Sequence, residues 1–380
     1  MISKILYITP GCFDKGGISR YNRYQIRAIR ELIGDKNVRV ISLMGHDKND
    51  IEEPFEVYWH GHGNSVFAKI KFAFVILKTF FTWRPSVIHT THVNFSGLTV
   101  VLAKLFKART ILNIYGIEIW SGLTLFKKMG LKRSDFILSD CHNTADYVKK
   151  NRMITGEIMV IWDCVDLDKF KHREQYFPQL IEKYKLPDRK ASFIVLTLGR
   201  MSADASYKGY SRLIEVLDKV LKKKKNVKLI MAGSGDYLDV LKESVRALGI
   251  EKNVIFTGSV DENDIVNLYS YAHLFSLVTE IGIGKGEGIP LTPLEAMACG
   301  TPIIVGNQDG SKEAVFENEN GYVIDPNDLD RHTEIICDLA DHSDLREKMA
   351  LGAEKIAKQC FGYELFKEKH VLLFNRILFS

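Results

Sequence analysis

Two glutamates eight positions apart, Glu287 and Glu295, have the spacing that constrains chemistry most tightly in this sequence. Proline lacks an N–H and crowds the preceding helical turn, so Pro290 and Pro293 cannot both lie inside one continuous helix. Glu287 is therefore predicted on a loop and Glu295 on the helix that follows. The two carboxylates should then have different roles.

The start of that helix is predicted from its residue types. Thr292 as N-cap, Pro293 at the first helical position and Glu295 at the third form a capping-box pattern. Free N–H groups at a helix start favour phosphate, and a carboxylate in the first turn could accept both hydroxyls of a ribose. The alternative is that Glu295 only caps its own helix.

This segment resembles the glutamate-x7-glutamate signature of retaining GT-B glycosyltransferases of family 4. The likeness continues through residues 305–315, 320–322 and 325–326, and recurs in scattered blocks between residue 5 and about residue 340. The resemblance implies that Glu287 contacts hydroxyls of the donor sugar and that Glu295 contacts the nucleotide ribose. It implies further donor contacts from four neighbouring residues: Gly288, Ile289, Leu291 and Thr292.

Short β-branched runs alternate with longer amphipathic segments along the chain. The run 193–198, for example, precedes a helical pattern over 213–221 and a second run at 227–231. Several runs are apolar without alternation, which is typical of strands buried on both faces. The fold class is therefore predicted as α/β with parallel sheets. The resemblance implies GT-B, in which two Rossmann-like doubly wound domains face each other across a cleft.

The 380 residues suit two domains of ordinary size. Periodicity lapses in the polar segment 166–191, where we place the linker. We predict domains over 1–180 and 190–360, and the resemblance implies that the first binds the acceptor and the second the nucleotide sugar. It also implies that residues 361–380 form a helix that crosses back to the N-terminal domain.

Ligands of open α/β sheets bind beyond the carboxyl ends of the strands. Arg200 and Lys208 follow the predicted strand 193–198, and the resemblance implies that they straddle a diphosphate. Fixed cations aimed at a departing diphosphate stabilise the transition state more than the ground state. The alternative is that both are ordinary surface residues. Gly258 and Val260 follow a later strand and resemble the segment whose backbone holds the nucleobase.

Gly16 and Gly17 follow the first predicted strand, and their backbone amides would be accessible to an anion. Their position resembles the family's N-terminal phosphate loop, although plain loop glycines are the alternative. Four arginines behind them share one stripe of the predicted helix: Arg20, Arg23, Arg27 and Arg30. Such a stripe is usually a solvated face, and Arg20, nearest the glycines, is the one expected to face the ligand.

His92 lies just past the predicted strand that contains His89. It resembles the histidine that meets the donor sugar in the family, and the carboxyl end of a strand favours His92 over His89. The alternative is a structural histidine. The chain departs from the family pattern at Pro290, where a glycine is usual, so an amide that often meets the sugar is lost.

No metal and no cofactor are predicted, since the nucleotide sugar is itself a substrate. Asp166 and Asp168 could suggest a metal-binding pair, but their segment resembles the family's interdomain connector. Arg200, Lys208 and helix amides are instead expected to meet the phosphates. The six cysteines lack paired spacing, which argues against zinc and disulfides and favours a reducing cytoplasm.

The charge is distributed unevenly. Residues 1–180 carry 26 Lys and Arg against 17 Asp and Glu, whereas residues 181–380 carry 26 against 30. A basic half suits an anionic membrane, a phosphorylated lipid or a nucleic acid, and no nucleic-acid module is recognisable. The apolar segment 66–83 contains three lysines and is too charged to span a bilayer, so it either lies on a membrane or covers the first sheet. We predict a cytoplasmic protein bound peripherally at the inner face of the cell membrane.

The predicted function is transfer of a glycosyl group, specifically a hexosyl group, from a UDP- or GDP-sugar to a lipid-linked or surface-polysaccharide acceptor. Retention at the anomeric carbon is implied by the resemblance alone. Two alternatives stay open: a sugar-nucleotide epimerase of related fold, and a soluble glycosyltransferase with a small-molecule acceptor. A dehydrogenase is disfavoured, because the segment 233–238 lacks the third glycine of a dinucleotide fingerprint. The nucleobase, sugar, linkage and oligomeric state are not predicted.

Overall fold

The computed structural model describes residues 4–13, 16–45, 57–120, 122–173, 177–282 and 285–379. The strands in these residues are β1 (Ile5–Thr9), β2 (Val38–Ser42), β3 (Trp59–His60), β4 (Val87–Thr90), β5 (Arg109–Ile114), β6 (Phe136–Ser139), β7 (Glu157–Val160), β8 (Phe193–Leu198), β9 (Val227–Ala232), β10 (Val254–Gly258), β11 (Leu274–Leu277), β12 (Ile303–Gly306) and β13 (Gly321–Ile324). The α-helices are α1 (Gly17–Ile33), α2 (Val66–Trp83), α3 (Val93–Phe106), α4 (Ile117–Trp120), α5 (Leu125–Arg133), α6 (His142–Lys150), α7 (Phe177–Tyr184), α8 (Tyr210–Lys223), α9 (Leu238–Ala247), α10 (Glu262–Tyr271), α11 (Leu291–Ala298), α12 (Leu329–Asp341), α13 (Ser343–Cys360) and α14 (Tyr363–Phe379).

The chain divides into two compact units. Unit 1 comprises residues 1–164 and 363–380, and unit 2 comprises residues 165–362. The change of unit thus comes before the predicted boundary at residue 180, because the chain after residue 164 already bonds to unit 2. The Val165 N–H donates to the Phe361 carbonyl at 2.8 Å, and His172 Nδ1 lies 3.1 Å from the Cys299 carbonyl oxygen. Unit 1 carries 26 Lys and Arg against 16 Asp and Glu, and unit 2 carries 26 against 31.

Unit 1 is built on a seven-stranded parallel sheet with the order β3-β2-β1-β4-β5-β6-β7. Alternate residues of β1 point to opposite faces, as strand geometry requires. Ile5 and Tyr7 pack with α1 and α14, whereas Leu6 and Ile8 pack with α2 and α3. Both faces are therefore covered, which explains the near-continuous apolar runs.

Uncharged polar side chains form a network inside unit 1, where α1 meets the sheet. The Tyr7 hydroxyl donates to Gln25 Oε1 at 2.8 Å, and its oxygen lies 3.0 Å from Asn22 Oδ1. Asn113 Nδ2 donates to the same Gln25 oxygen at 2.8 Å, and its Oδ1 lies 2.7 Å from His89 Nε2. Buried polar atoms that find partners in this way fix the position of α1 on β1, β4 and β5.

Unit 2 is built on a six-stranded parallel sheet with the order β10-β9-β8-β11-β12-β13. The predicted runs 193–198 and 227–231 are β8 and β9, and the predicted helical pattern 213–221 lies within α8. The strand order reverses between β8 and β11. In open parallel sheets such a reversal marks the place where loops diverge and ligands bind beyond the strands.

Candidate functional site

The loop after β8 brings Lys208 to the reversal point of unit 2. The chain forms a short 3₁₀ helix over Ala203–Lys208 and then turns at Gly209, where φ is +80°. A Cβ at Gly209 would lie 2.2 Å from the Val278 carbonyl oxygen, so only glycine fits this approach. The Glu280 N–H donates to the Tyr207 carbonyl at 2.9 Å. The β8 loop is therefore fixed against the end of β11.

Tyr207, Lys208 and Glu287 form a compact group, here named the Glu287 cluster. One carboxylate oxygen, Glu287 Oε1, accepts from the Tyr207 hydroxyl at 2.9 Å and lies 3.0 Å from Lys208 Nζ. The side chains of Lys208 and Glu287 are both 19% exposed, so the pair is shielded but reachable. Burial alone would lower the pKa of Lys208, but the Glu287 carboxylate outweighs burial and the net pKa is raised. Lys208 is thus a fixed cation.

A buried aspartate, Asp309, holds the Glu287 loop in place. Its Oδ2 accepts from the Glu287 N–H at 2.9 Å and from the Thr279 hydroxyl at 2.5 Å. Its Oδ1 accepts from the Ser311 N–H at 3.1 Å and from the Ser311 hydroxyl. Burial raises the pKa of Asp309 to about 6, against the opposing effect of these hydrogen bonds. The segment before α11 is therefore tied to the ends of β11 and β12.

Arg200 lies beside this group on the exposed side. Its Nη2 is 3.3 Å from Asp204 Oδ2, and both side chains are about two-thirds exposed. Burial and the Glu287 carboxylate raise the pKa of Tyr207, and the Arg200 charge opposes them. The Arg200 carbonyl accepts from the Tyr210 hydroxyl at 3.3 Å, at the start of α8. The structure therefore brings together three of the predicted residues, Arg200, Lys208 and Glu287, at one edge of the unit 2 sheet.

The predicted capping box at α11 is wrong. The helix begins at Leu291, its N-cap is Pro290 in extended conformation, and no side chain caps it. Pro293 is accommodated because the first N–H groups of a helix need no helical partner. Glu287 does precede the helix on a loop, as predicted.

Glu295 is the fifth residue of α11 and is buried, with 2% exposure. Its Oε2 accepts from the Tyr269 hydroxyl of α10 at 2.9 Å. The carboxylate therefore joins two helices, and a ribose contact stays a prediction.

The other predicted donor-binding residues lie on the same edge of unit 2 or next to it. Gly288 and Ile289 belong to the loop before α11, and Leu291 and Thr292 form its first turn. The Ile289 and Leu291 side chains are buried, so any ligand contact would come from their backbone. Gly258 ends β10, and Val260 follows it in the loop before α10.

In unit 1, the glycine pair stands where the sequence indicates, between β1 and α1. Gly16 precedes the helix in extended conformation and Gly17 is its first residue. The solvated-face interpretation of the arginine stripe is wrong for Arg23. That side chain is 6% exposed, and its Nη1 donates to the Cys12 carbonyl at 2.9 Å. A phosphate contact from Gly16 or Gly17 stays a prediction.

His89 in β4 and His92 just after it differ in the way that the sequence indicates. His89 is fully buried, and burial lowers its pKa to about 3. His92 lies past the carboxyl end of β4, where its Nδ1 accepts from the Asn94 N–H at 3.2 Å and caps α3. Burial, and then the charge of Lys127, lower the pKa of His92 to about 4. His92 is therefore neutral at pH 7, and its sugar contact stays a prediction.

Asp166 and Asp168 lie in the first turn of unit 2. Asp166 Oδ1 accepts from the Asp168 N–H at 3.0 Å and from the Lys169 N–H at 3.2 Å. The side chain of Asp166 thus closes a local turn, which is the connector role preferred on sequence.

Sequence reasoning missed Tyr207 and Asp309. Tyr207 directly precedes Lys208, which was singled out. Asp309 lies within the family-like block 305–315 and caps the 3₁₀ helix Gly310–Ala314, and Asp is a preferred residue at such a cap. Its bond to an amide 22 residues earlier has no sequence signature.

Residues 179–356, nearly all of unit 2, match the family described as Glycosyl transferases group 1. A GDP-mannose-dependent alpha-(1-6)-phosphatidylinositol monomannoside mannosyltransferase of Mycolicibacterium smegmatis is 30% identical over 190 residues, covering 50% of this chain and 48% of the relative. Mannosylfructose-phosphate synthase of Agrobacterium fabrum is 33% identical over 143 residues, covering 36% and 30%. The chain thus spans about half the length of the first relative and less of the second.

Solved structures resemble the chain over its whole length. HepE of Anabaena in complex with UDP has a TM-score of 0.80 and 17% identity, covering 98% of this chain and 100% of its own. Sucrose-phosphate synthase of Thermosynechococcus elongatus has a TM-score of 0.81 and 16% identity, covering 99% of both chains. At this identity the likeness concerns the fold, and the predicted GT-B class with two Rossmann-like parallel-sheet domains is confirmed.

Proposed function

We propose that the protein is a glycosyltransferase that uses a nucleoside-diphosphate sugar, since residues 179–356 match the family described as Glycosyl transferases group 1. The observation that supports this best is the Glu287 cluster beside Arg200 at the reversal point of the unit 2 sheet. Two cations and a shielded carboxylate within one site suit a donor that carries both a diphosphate and sugar hydroxyls.

In this proposal Lys208 and Arg200 bind the diphosphate, and Glu287 accepts from hydroxyls of the sugar. Lys208 is pre-organised by Glu287, so little reorganisation is needed when charge develops on the leaving oxygen. The Asp309 bonds keep the Glu287 loop from moving away. Glu287 orients the sugar in this scheme and forms no covalent bond to it.

The reaction would exchange one bond at the anomeric carbon for another. The acceptor hydroxyl oxygen forms the new bond, and the bond to the diphosphate oxygen breaks with its electron pair retained by the diphosphate. The hydroxyl proton passes to the leaving phosphate, so no separate protein base is required. Retention, with attack from the face that the diphosphate leaves, follows from the family resemblance.

The donor that we propose first is GDP-mannose, since the mannosyltransferase relatives are named as dependent on it. Thermal shift of the purified chain with GDP-, UDP- and ADP-sugars tests this, because binding raises the melting temperature by mass action. The expected result is a shift with GDP-mannose in the wild type that is lost in Lys208→Ala. No shift with any nucleotide sugar would contradict the proposal.

For the acceptor we propose a lipid-linked glycan or a surface polysaccharide, rather than a small molecule. The mannosyltransferase relatives carry phosphatidylinositol in their names, whereas mannosylfructose-phosphate synthase supports the small-molecule alternative. Radiolabelled donor is incubated with a membrane lipid extract, with a phosphosugar panel, or with no acceptor. Label in the lipid phase is expected.

Label in a small soluble product would favour the glycosyltransferase with a small-molecule acceptor. An altered sugar nucleotide in the reaction without acceptor would favour the epimerase.

A further inference from the structure

Helix α2 has two apolar faces, and only one of them packs against the sheet of unit 1. Phe72, Ile76 and Phe80 are almost fully buried on the sheet side. The opposite side carries apolar residues at intervals of three and four, as one helical stripe does. Their exposed fractions are Phe67 86%, Ile70 62%, Phe74 64%, Leu77 39% and Phe81 61%. The segment 66–83 thus covers the first sheet with one face and leaves a second apolar face exposed.

The exposed stripe continues onto the neighbouring helices of unit 1. The Phe81 ring lies 5.0 Å from the Phe106 ring at the end of α3, where Leu105 is 68% exposed. On the other flank of α3, a Cβ at Gly97 would lie 2.5 Å from Phe126, so the Phe126 ring of α5 rests on the α3 backbone. Leu125 next to it is 87% exposed. We name the exposed residues of α2, α3 and α5 the outer face of unit 1.

This face is basic and free of acids. Residues 57–117 contain seven Lys and Arg and no Asp or Glu, and α5 adds only basic charges. Its lysines and arginine are Lys69, Lys71, Lys78, Lys104, Lys127, Lys128, Lys132 and Arg133. Within the part of the chain that the structure describes, none of these eight forms a salt bridge.

Helix α8 of unit 2 is also basic, but two of its lysines form ion pairs. On α8, Lys219 Nζ lies 2.6 Å from Asp330 Oδ1 and Lys222 Nζ lies 2.7 Å from Asp218 Oδ2. Acids thus lie among the lysines of α8, whereas the sequences of α2, α3 and α5 contain none. Their absence over the outer face of unit 1 indicates an anionic partner, because a one-sided positive field attracts one.

We propose that the outer face of unit 1 binds the surface of an anionic lipid bilayer. A bilayer surface offers hydrocarbon for the phenylalanines and anionic headgroups for the lysines, whose long stems let the charge stay at the interface. Among the described helices none is long and apolar enough to cross a membrane. The inference concerns unit 1 alone and does not depend on the proposed function.

Flotation of the full chain with vesicles tests the proposal. Vesicles of phosphatidylcholine alone are compared with vesicles that contain roughly 30% phosphatidylglycerol. This fraction of anionic lipid gives the vesicle a strong negative surface potential. We expect binding to the anionic vesicles at least about tenfold stronger than to the neutral ones. Binding should be weaker in 0.5 M salt, roughly a threefold rise over physiological ionic strength.

Two variants separate the apolar and the charged contributions. Phe67→Ser with Phe74→Ser should weaken binding to anionic vesicles about tenfold or more, since two exposed aromatic rings no longer insert. Lys69→Gln with Lys71→Gln and Lys78→Gln should remove most of the preference for anionic vesicles. Leu351→Ser, at a residue of unit 2 that is 70% exposed, is the matched control and should bind like the wild type. All variants should keep the wild-type melting temperature and donor-induced thermal shift.

Two outcomes overturn the proposal. The first is equal flotation of the wild type and both outer-face variants. The second is a concentration-dependent dimer in sedimentation, abolished by Phe67→Ser with Phe74→Ser and accompanied by no vesicle binding, which would make the face a contact between two copies. If no nucleotide sugar raises the melting temperature, the proposed function is contradicted, but vesicle binding is still measured independently. The proposed function and the proposed membrane contact can therefore fail separately.

Discussion

The two units share one architecture and use polar residues in opposite ways. Each has a parallel sheet whose strand order reverses once, at β1 and β4 in unit 1 and at β8 and β11 in unit 2. In unit 2 the reversal point holds charged groups in mutual contact, the Glu287 cluster. In unit 1 the corresponding interior holds the uncharged network of Tyr7, Asn113 and His89. The basic side chains of its outer face form no salt bridge with any residue that the structure describes.

The difference shows that an open parallel sheet determines where a ligand site can form, at the reversal of strand order. The residues of the loops there determine the chemistry of the site. Charges that are paired and half-buried are held still, which suits binding of a charged ligand at a defined position. Charges that are exposed and without acids nearby suit a partner whose position varies, such as a fluid lipid surface. Four variants test this comparison.

The largest effect is expected for Lys208→Ala. Removal of a fixed cation should lower kcat/KM about 10²- to 10³-fold, as loss of one oriented donor does in other enzymes. Steady-state kinetics with the donor found by thermal shift measures it. Lys219→Ala, at an exposed lysine on α8, is the control and should change kcat/KM less than about twofold. An equal loss of kcat/KM in Lys208→Ala and Lys219→Ala would show that a lysine of the site matters no more than a lysine of the surface.

Asp309→Asn should change how stability depends on pH. The pKa of Asp309 is raised from 3.8 to about 6, so between these values the folded state holds a proton that the unfolded state lacks. The wild type should therefore lose about 2 kcal/mol relative to Asp309→Asn as pH rises from 4 to 7. Urea unfolding across this range measures it. Thr279→Val keeps the titrating group and removes a hydrogen bond that lowers the pKa of Asp309, so it should retain the pH dependence and shift it to higher pH.

His89→Gln should show the opposite sign in unit 1. The pKa of His89 is lowered from 6.5 to about 3, so below pH 6.5 the unfolded state takes up a proton that the folded state excludes. The wild type should lose about 2 kcal/mol relative to His89→Gln as pH falls from 7 to 5. The same unfolding series measures it. His342→Gln, at a largely exposed histidine, should not reproduce this loss.

The smallest effect is expected for Glu295→Gln, which should weaken donor binding about tenfold and leave the fold intact. Calorimetric titration with the donor measures it. Tyr269→Phe removes the hydroxyl that bonds to Glu295 and should lower stability without changing donor affinity. Equal donor affinity in Glu295→Gln and the wild type would make Glu295 a purely structural link between α10 and α11.

Much of the fold could be predicted because it follows from local pattern. The run 193–198 is β8 to the residue, since an apolar β-branched run between helical segments has few other uses. The start of α11 was missed because Pro290 serves as N-cap without a side-chain bond, so Thr292 lies inside the helix. A capping motif in a sequence shows that its residue types could cap a helix. It does not determine whether their side chains form the capping hydrogen bonds.

The site could be predicted only where it depends on residues near in sequence or on family resemblance. Arg200 and Lys208 were found in this way. Arg23 was misjudged because its partner, the Cys12 carbonyl, is a backbone atom of the preceding loop. Asp309 was missed because its importance comes from the Glu287 amide and Thr279, which only the folded sheet brings together.

The division of charge between the units has a mechanical consequence. With a formal charge of +10 on unit 1 and −5 on unit 2, the chain is an electric dipole. Near an anionic surface it experiences a torque as well as an attraction, within the roughly 8 Å over which physiological salt leaves charges unscreened. Unit 1 would be turned toward the surface before any phenylalanine touches lipid. The landing orientation would then be selected by electrostatics and retained by the hydrophobic contact.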